Sequence, residues 1–274
     1  MDTFLSISIF LIILFVYIHI YHHLTISNKY QIHNIPVVTK ENIDNISQLR
    51  QPALFTYNNL SIIETLHLDT PNLFKSHIMN MREELESDIE RIHIPNTNLN
   101  TKEKCILENN NDFLTTTNLI QNLKDNDYLL KPPNSYSQHY DFIIGLNQSH
   151  TPLQYKLNYK NYFMVTEGII HMKLAAPKYL IDLNPIDDYT NFEFKSKINP
   201  WTYVEDNIVF LEVELQKGDV IYIPPYWWYS IYFAKNASLC YFGYNTIMSL
   251  ITISPQLLQY LYKYYLKTTS IVLL

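Results

Sequence analysis

Glycine is the first shortage: the 274 residues hold 4, at Gly145, Gly168, Gly218 and Gly243. A chain that sparing keeps glycine where a positive φ or a close backbone approach demands it, and all of them fall between positions 145 and 243. Cysteine is almost as scarce. Cys105 and Cys240 are too few for a cystine scaffold or a thiolate metal site, and read as unpaired buried thiols. Basic residues are outnumbered, 20 Lys and Arg against 26 Asp and Glu, so the net charge of −6 leaves no electrostatic footprint for nucleic acid. Histidine stops early: nothing after His171 can supply an imidazole. Internal repeats are absent.

Long apolar runs are also missing, with one exception. Residues 4–21, FLSISIFLIILFVYIHIY, carry no charge and are just long enough to cross a bilayer as a helix. A cleaved signal peptide would want a basic n-region and a small-residue cleavage site. Only Asp2 is charged before the run, and HHLTISNKY after it offers no such site, so the run reads as an uncleaved single-pass anchor, residues 1–21. Lys29 and Lys40 follow it while no basic residue precedes it, which leans toward a cytoplasmic C-terminal domain. Sequons at Asn45, Asn59, Asn147 and Asn236 argue the reverse, but an Asn-rich chain makes them by chance. Residues 22–33 form a polar tether, and His22-His23 within it fits membrane-interfacial residues better than a metal pair.

From position 34 to about 250 the chain reads as one domain, followed by a C-terminal tail, 251–274. Residues 35–38 and 51–57 are expected strands, with a helix over 40–48 between them. The acidic stretch 74–88 lacks apolar periodicity and reads as a solvated helix or loop edge. NTNLNTK (96–102), ENNNDF (108–113) and LLKPPNSYSQ (129–138) are expected loops, with a helix over 113–123. The second half alternates: 141–145, 151–158, 162–168, 169–177, 208–215, 219–225, 230–233 and 237–244 are short strands separated by turn signals, the pattern of a barrel or sandwich. The tail 255–267, PQLLQYLYKYYLK, has Leu and Tyr at helical spacing and suits packing on the barrel or on a second copy in a homodimer.

The densest signal is 215–229, LQKGDVIYIPPYWWY. Lys217-Gly218-Asp219 forms a turn, 220–223 a strand, and Pro224-Pro225 must end it because proline cannot donate to a ladder. Trp227 and Trp228 follow as large apolar side chains placed to close a barrel mouth. This stretch resembles the last metal-ligand strand of the jumonji-C/cupin-like 2-oxoglutarate oxygenases, whose usual form is G-D, an apolar strand, P-P, then W-W-H. The stretch DFIIGLNQSHTPLQYKLNYKNYFMVTEGIIHMKLAAP is similar to the core of that family, with Gly145, Thr151, Pro152, Gly168 and Pro177 in step.

The resemblance implies a mainly β fold, a double-stranded β-helix (cupin or jelly-roll) barrel with flanking helices, and a cofactor pair of Fe(II) and 2-oxoglutarate. It also implies where the iron would sit, in a 2-His-1-carboxylate triad. Here the first His position is Gln154, the Asp position Lys156 and the distal His position Tyr229. The co-substrate lysine position is Ile170, and Thr151 alone survives from that set. His139-Tyr140-Asp141 matches H-x-D literally, but it lies ahead of the Gly145 and Thr151-Pro152 landmarks.

Strand alternation puts Ile170, Met172 and Leu174 on one face and His171 on the other, and groups Gln154, Lys156 and Asn158 opposite Leu153, Tyr155 and Leu157. Either the Gln154 face meets solvent, or Gln154, Lys156 and Tyr229 line the former metal pocket, with the ammonium hydrogen-bonded to the Tyr hydroxyl and the Gln carbonyl. The expectation is a membrane-anchored pseudoenzyme with no catalytic residues, no metal and no cofactor, acting on an unidentified protein or a small acidic ligand. A 2-oxoglutarate oxygenase with an unorthodox ligand set and a structural envelope or membrane protein are the alternatives left open.

Overall fold

The computed structural model describes residues 2–68, 105–146, 148–189, 192–203 and 207–272. The expectations for 74–88 and 96–102 lie outside these residues. The chain opens with α1 (Asp2–Leu24), a helix long and apolar enough over Phe4–Leu24 to cross a membrane and unburied along its length. After β1 (His33–Asn34), Thr39 caps α2 (Lys40–Gln48), its Oγ1 accepting from Asn42 N at 3.2 Å. The strand expected over 35–38 is not formed. Pairing with β2 (Ala53–Thr56) covers 33–34 and continues only through Ile35 N to Leu54 O, because Pro36 offers no donor. Next come α3 (Leu60–Leu68), β3 (Cys105–Leu107), α4 (Asn111–Thr116) and α5 (Leu119–Asn126). The last two replace the single helix expected over 113–123, broken where Asn118 takes a left-handed φ of 59°.

The remaining strands are β4 (Ser135–Leu146), β5 (Ser149–His150), β6 (Gln154–Tyr155), β7 (Lys160–Glu167), β8 (Ile169–Ala175), β9 (Pro185–Asp188), β10 (Glu193–Ser196), β11 (Leu211–Gln216), β12 (Asp219–Ile223), β13 (Trp228–Phe233) and β14 (Ala237–Thr246). Strand β4 starts earlier than the expected 141, taking in the end of the proline-rich loop. The strand expected over 151–158 survives only as β6. Helices α6 (Ile247–Thr252) and α7 (Ser254–Val272) close the chain.

Among the described residues one sheet runs β1-β2-β12-β7-β14-β4-β3 and the other β11-β8-β13-β6-β10-β9, with β5 beside β13. All pairings but β1 with β2 are antiparallel. The inward faces meet in one apolar layer of Ile143, Phe163, Ile170, Met172, Leu174, Ile221, Ile231, Phe233 and Leu239. The outer face of the first sheet is roofed by α2 to α5 over Tyr140, Phe142, Tyr162 and Tyr222. Outside the second sheet, Leu153, Tyr155, Phe194 and Trp228 pack with Ile253. Helix α7 leaves Leu258, Leu261 and Tyr262 exposed.

Under the helical roof, buried Asp127 accepts from the hydroxyls of Tyr140 at 2.6 Å and Tyr244 at 2.9 Å. Asp127→Ala removes the acceptor shared by two buried phenols and should cost about 3 kcal/mol. A urea unfolding midpoint checks this.

Candidate functional site

The turn after β12 builds one side of the barrel mouth. Pro224-Pro225 ends the strand, Tyr226 takes a φ of 67°, and its N–H donates to the carbonyl of Lys156 at 3.2 Å. The chain then reverses into β13, where Tyr229 lies directly across from Gln154 of β6. Both are buried, and Tyr229 belongs to the inner apolar layer. On the Gln154 face Gln154 itself is buried, while Lys156 and Asn158 are partly exposed. Half-buried Lys156 projects to the same side and places Nζ 5.6 Å from the ring centroid of Tyr241 on β14. Gln154 and Tyr229 are thus cross-strand neighbours, and Lys156 is two residues further along the chain.

The bonding differs from the expectation. Among the described residues Lys156 Nζ forms no hydrogen bond to Tyr229 or Gln154 and no ion pair; the π face of Tyr241 holds it instead. That ring is fixed below. Asn158 Nδ2 donates to the Tyr241 hydroxyl at 2.7 Å, which donates to Asn161 Oδ1 at 2.7 Å. Asn161 Nδ2 in turn donates to the carbonyls of Ile223 and Asn158, both at 3.1 Å. Gly243 makes room for the arrangement: a Cβ there would sit 2.3 Å from Asn158 Nδ2 and 2.5 Å from the Tyr241 hydroxyl.

Glu108 enters the site from a segment read from sequence only as a polar loop. Asp141 brings it there. Its Oδ1 accepts from Asn110 N at 2.7 Å and Phe142 N at 2.8 Å, and its Oδ2 from Asn109 N at 2.8 Å. Anchored this way, the 108–110 segment brings Glu108 beside Gln154, whose side chain favours the ionised carboxylate. Burial pushes the Glu108 carboxyl above its ordinary value, and the charges of Lys156 and Lys195 only partly offset this. His139, exposed and edge-on to Tyr241 at 5.7 Å, lies close enough to Lys156 to feel its charge. There its pKa is lowered by desolvation and by Lys156. Burial holds the Tyr229 hydroxyl well above its usual pKa, so it stays a neutral phenol.

The remaining expected site residues lie elsewhere. Thr151 is fully buried with its Oγ1 accepting from Ile231 N at 2.9 Å, so the hydroxyl is spent on fastening the chain to β13. Ile170 is fully buried in the barrel floor. Trp227 and Trp228 are not rim residues. Both are fully buried; Trp227 packs in the inner layer, while alternation turns Trp228 to the outside of the barrel, against Tyr155 at 4.7 Å. His171 points outward beside Glu214, and His150 meets Asn199.

These side chains are a poor match to an iron centre. Lys156 brings a cation, Tyr229 a neutral phenol, and Asp141 has both oxygens committed to backbone amides. No group of three or more His, Cys, Asp or Glu side chains suited to a metal exists among the described residues. The barrel floor, filled by Ile170, Met172, Ile231 and Phe233, presents no cation to a 2-oxoglutarate carboxylate. No sequence signal marked Glu108 or Tyr241; they reach the site through the Asp141 clamp and the β14 register.

A family model described as a cupin-like domain matches residues 25–245. No curated protein matches the chain.

Proposed function

The chain belongs to the cupin-like domain family, and we propose that it is a member that binds rather than oxidises. In this reading it is a membrane-anchored barrel whose pocket takes a small carboxylate on Lys156, without iron or 2-oxoglutarate. The observation that carries the reading is the Lys156 ammonium, which lies over an aromatic face and, among the described residues, forms no ion pair, with the Glu108 carboxyl acting on it only through space. An anion of the right size would complete that site, with Gln154 and His139 as further polar contacts. Helix α1 supports the anchoring part of the reading, and the exposed Leu258, Leu261 and Tyr262 of α7 offer a face for a second copy.

The test is calorimetric titration of the full chain in detergent against a panel of small mono- and dicarboxylates. Lys156→Met keeps the apolar stem and deletes the charge, and should weaken binding by roughly 10- to 100-fold, the value of one charge-assisted contact. An unchanged affinity would remove Lys156 from the site.

Glu108 supplies a second prediction. Its folded pKa is raised, so its ionisation costs stability. That cost is absent below the ordinary carboxylate range, appears as pH rises toward the folded pKa, and is complete above it. Glu108→Gln should raise the melting temperature at pH 8 and leave it unchanged at pH 4. It should also tighten carboxylate binding at pH 8 by removing a competing anion.

A further inference from the structure

Where α1 meets the domain, a groove of about 540 Å³ opens, walled by His22, His23, Asp44, Gln48, Tyr159 and Lys160. Its charges are unequal. On its walls Lys160 pairs with Asp44, and behind them Lys40 and Arg50 lie close enough to act on Lys160 electrostatically, an excess of positive charge around the groove.

Arg50 is the unusual member. It is 4% exposed, forms no ion pair among the described residues, and its Nη1 is buried without a hydrogen-bond partner. Its Nη2 lies 3.5 Å from His23 Nδ1 and its guanidinium 5.0 Å from the Tyr159 ring centroid. His23 and Tyr159 wall both the groove and the small cavity that Arg50 lines. Nη2 and the π face are thus engaged, and the buried Nη1 left without an acceptor is costly unless an anion reaches it.

Position says which anion. Helix Phe4–Leu24 at about 1.5 Å per residue is as long as a bilayer core of about 30 Å is thick. His22 and His23, at its end, then stand at the depth of the lipid head groups. Helix α6 packs against α1 there and exposes Ile247 and Ile251 beside the groove.

We propose that this groove binds the terminal phosphate of an anionic membrane lipid, with Lys160 as the charged donor on its wall, Arg50 adding positive charge from behind His23 and Tyr159, and His22, His23 and Gln48 around the phosphate. The assignment rests on the membrane-anchored reading of α1 and is independent of the barrel pocket.

The experiment has two stages. Membranes carrying the full chain are washed with alkaline carbonate. The chain is then purified in dodecyl maltoside, offered dioleoyl phosphatidic acid or dioleoyl phosphatidylcholine, and weighed by native mass spectrometry. The expected result is a chain that stays with the membrane and retains one phosphatidic acid in preference to phosphatidylcholine. Gln48 is exposed, so Gln48→Glu adds a negative charge to the groove without disturbing the core. It should cut that retention about tenfold while leaving the lipid-free melting temperature unchanged. Release by carbonate would overturn the anchoring and this site with it. A chain that stays in the membrane but retains both lipids equally, or retains phosphatidic acid unaffected by Gln48→Glu, would overturn the site alone. Stabilisation by inorganic phosphate with no lipid retained would overturn the lipid assignment.

Discussion

The triple variant Gln154→His, Lys156→Asp, Tyr229→His is expected to bind iron(II) stoichiometrically, and the parent chain to bind none. Gln154 and Tyr229 are cross-strand partners on β6 and β13, and Lys156 lies on the same side of the chain two residues after Gln154. In the binding reading the backbone presents these as three convergent positions. Two unit charges about 4 Å apart interact at roughly 4 kcal/mol at an effective dielectric near 20, so Lys156 would repel a dication by about twice that. An aspartate there reverses the sign of the interaction. Replacing a buried phenol at 229 by imidazole also removes a ligand-incompetent hydroxyl and leaves space for metal and water. Elemental analysis of the purified variant after anaerobic iron loading checks the prediction. Failure of a folded triple variant to take up iron would mean that the three positions do not form the former metal site.

Gly145→Ala should be among the most destabilising single-methyl additions to this chain. A Cβ at Gly145 on β4 would lie 2.0–2.4 Å from three ring carbons of Phe233, inside the sealed barrel floor. Neither partner has room to retreat, because Phe233 is fully buried on β13 and is paired there with Ile170. Overpacking of this kind costs about 1–3 kcal/mol and occasionally more, and here the contact is with a rigid ring. Phe233→Ala alone should cost about 3–5 kcal/mol through the cavity it leaves. The double variant should be more stable than the sum of the two losses, since the new methyl enters the space the ring vacates. Additive losses in urea unfolding would show that Gly145 and Phe233 do not share a site.

Much of the fold could be read from residue pattern because the signals were local. Gly168 and Gly218 do take positive φ, at 78° and 90°, where the β7–β8 and β11–β12 turns need them. Pro224-Pro225 ends β12, and α2 forms over the expected 40–48. Alternation placed Ile170, Met172 and Leu174 inward and His171 outward, as observed. Where local signals conflicted with tertiary demands, the reading slipped. Asn118 divides one apolar-periodic stretch into two helices, and 151–158 is shortened to β6 because Thr151 ties its start to β13 through side-chain as well as backbone bonds.

The candidate site was half legible. Gln154, Lys156 and Tyr229 stood out because each departs from a family motif at a fixed place. What Lys156 rests on did not stand out, because Tyr241 is one tyrosine among 23 and only the β14 register brings it beneath the ammonium. Asp141 drew notice as half of an H-x-D pair, yet its carboxylate holds backbone amides. The acid that faces the pocket is Glu108, delivered across 33 positions of chain.

In the binding reading, the Lys156 ammonium of this cupin-like barrel stands where a metal would otherwise be held. The most direct measurement offers the purified full chain iron(II) and 2-oxoglutarate without air, then quantifies bound metal and the shift in melting temperature. No stoichiometric iron and no shift from the pair is the expected result. One iron per chain, with a melting temperature raised by 2-oxoglutarate only when iron is present, would contradict it.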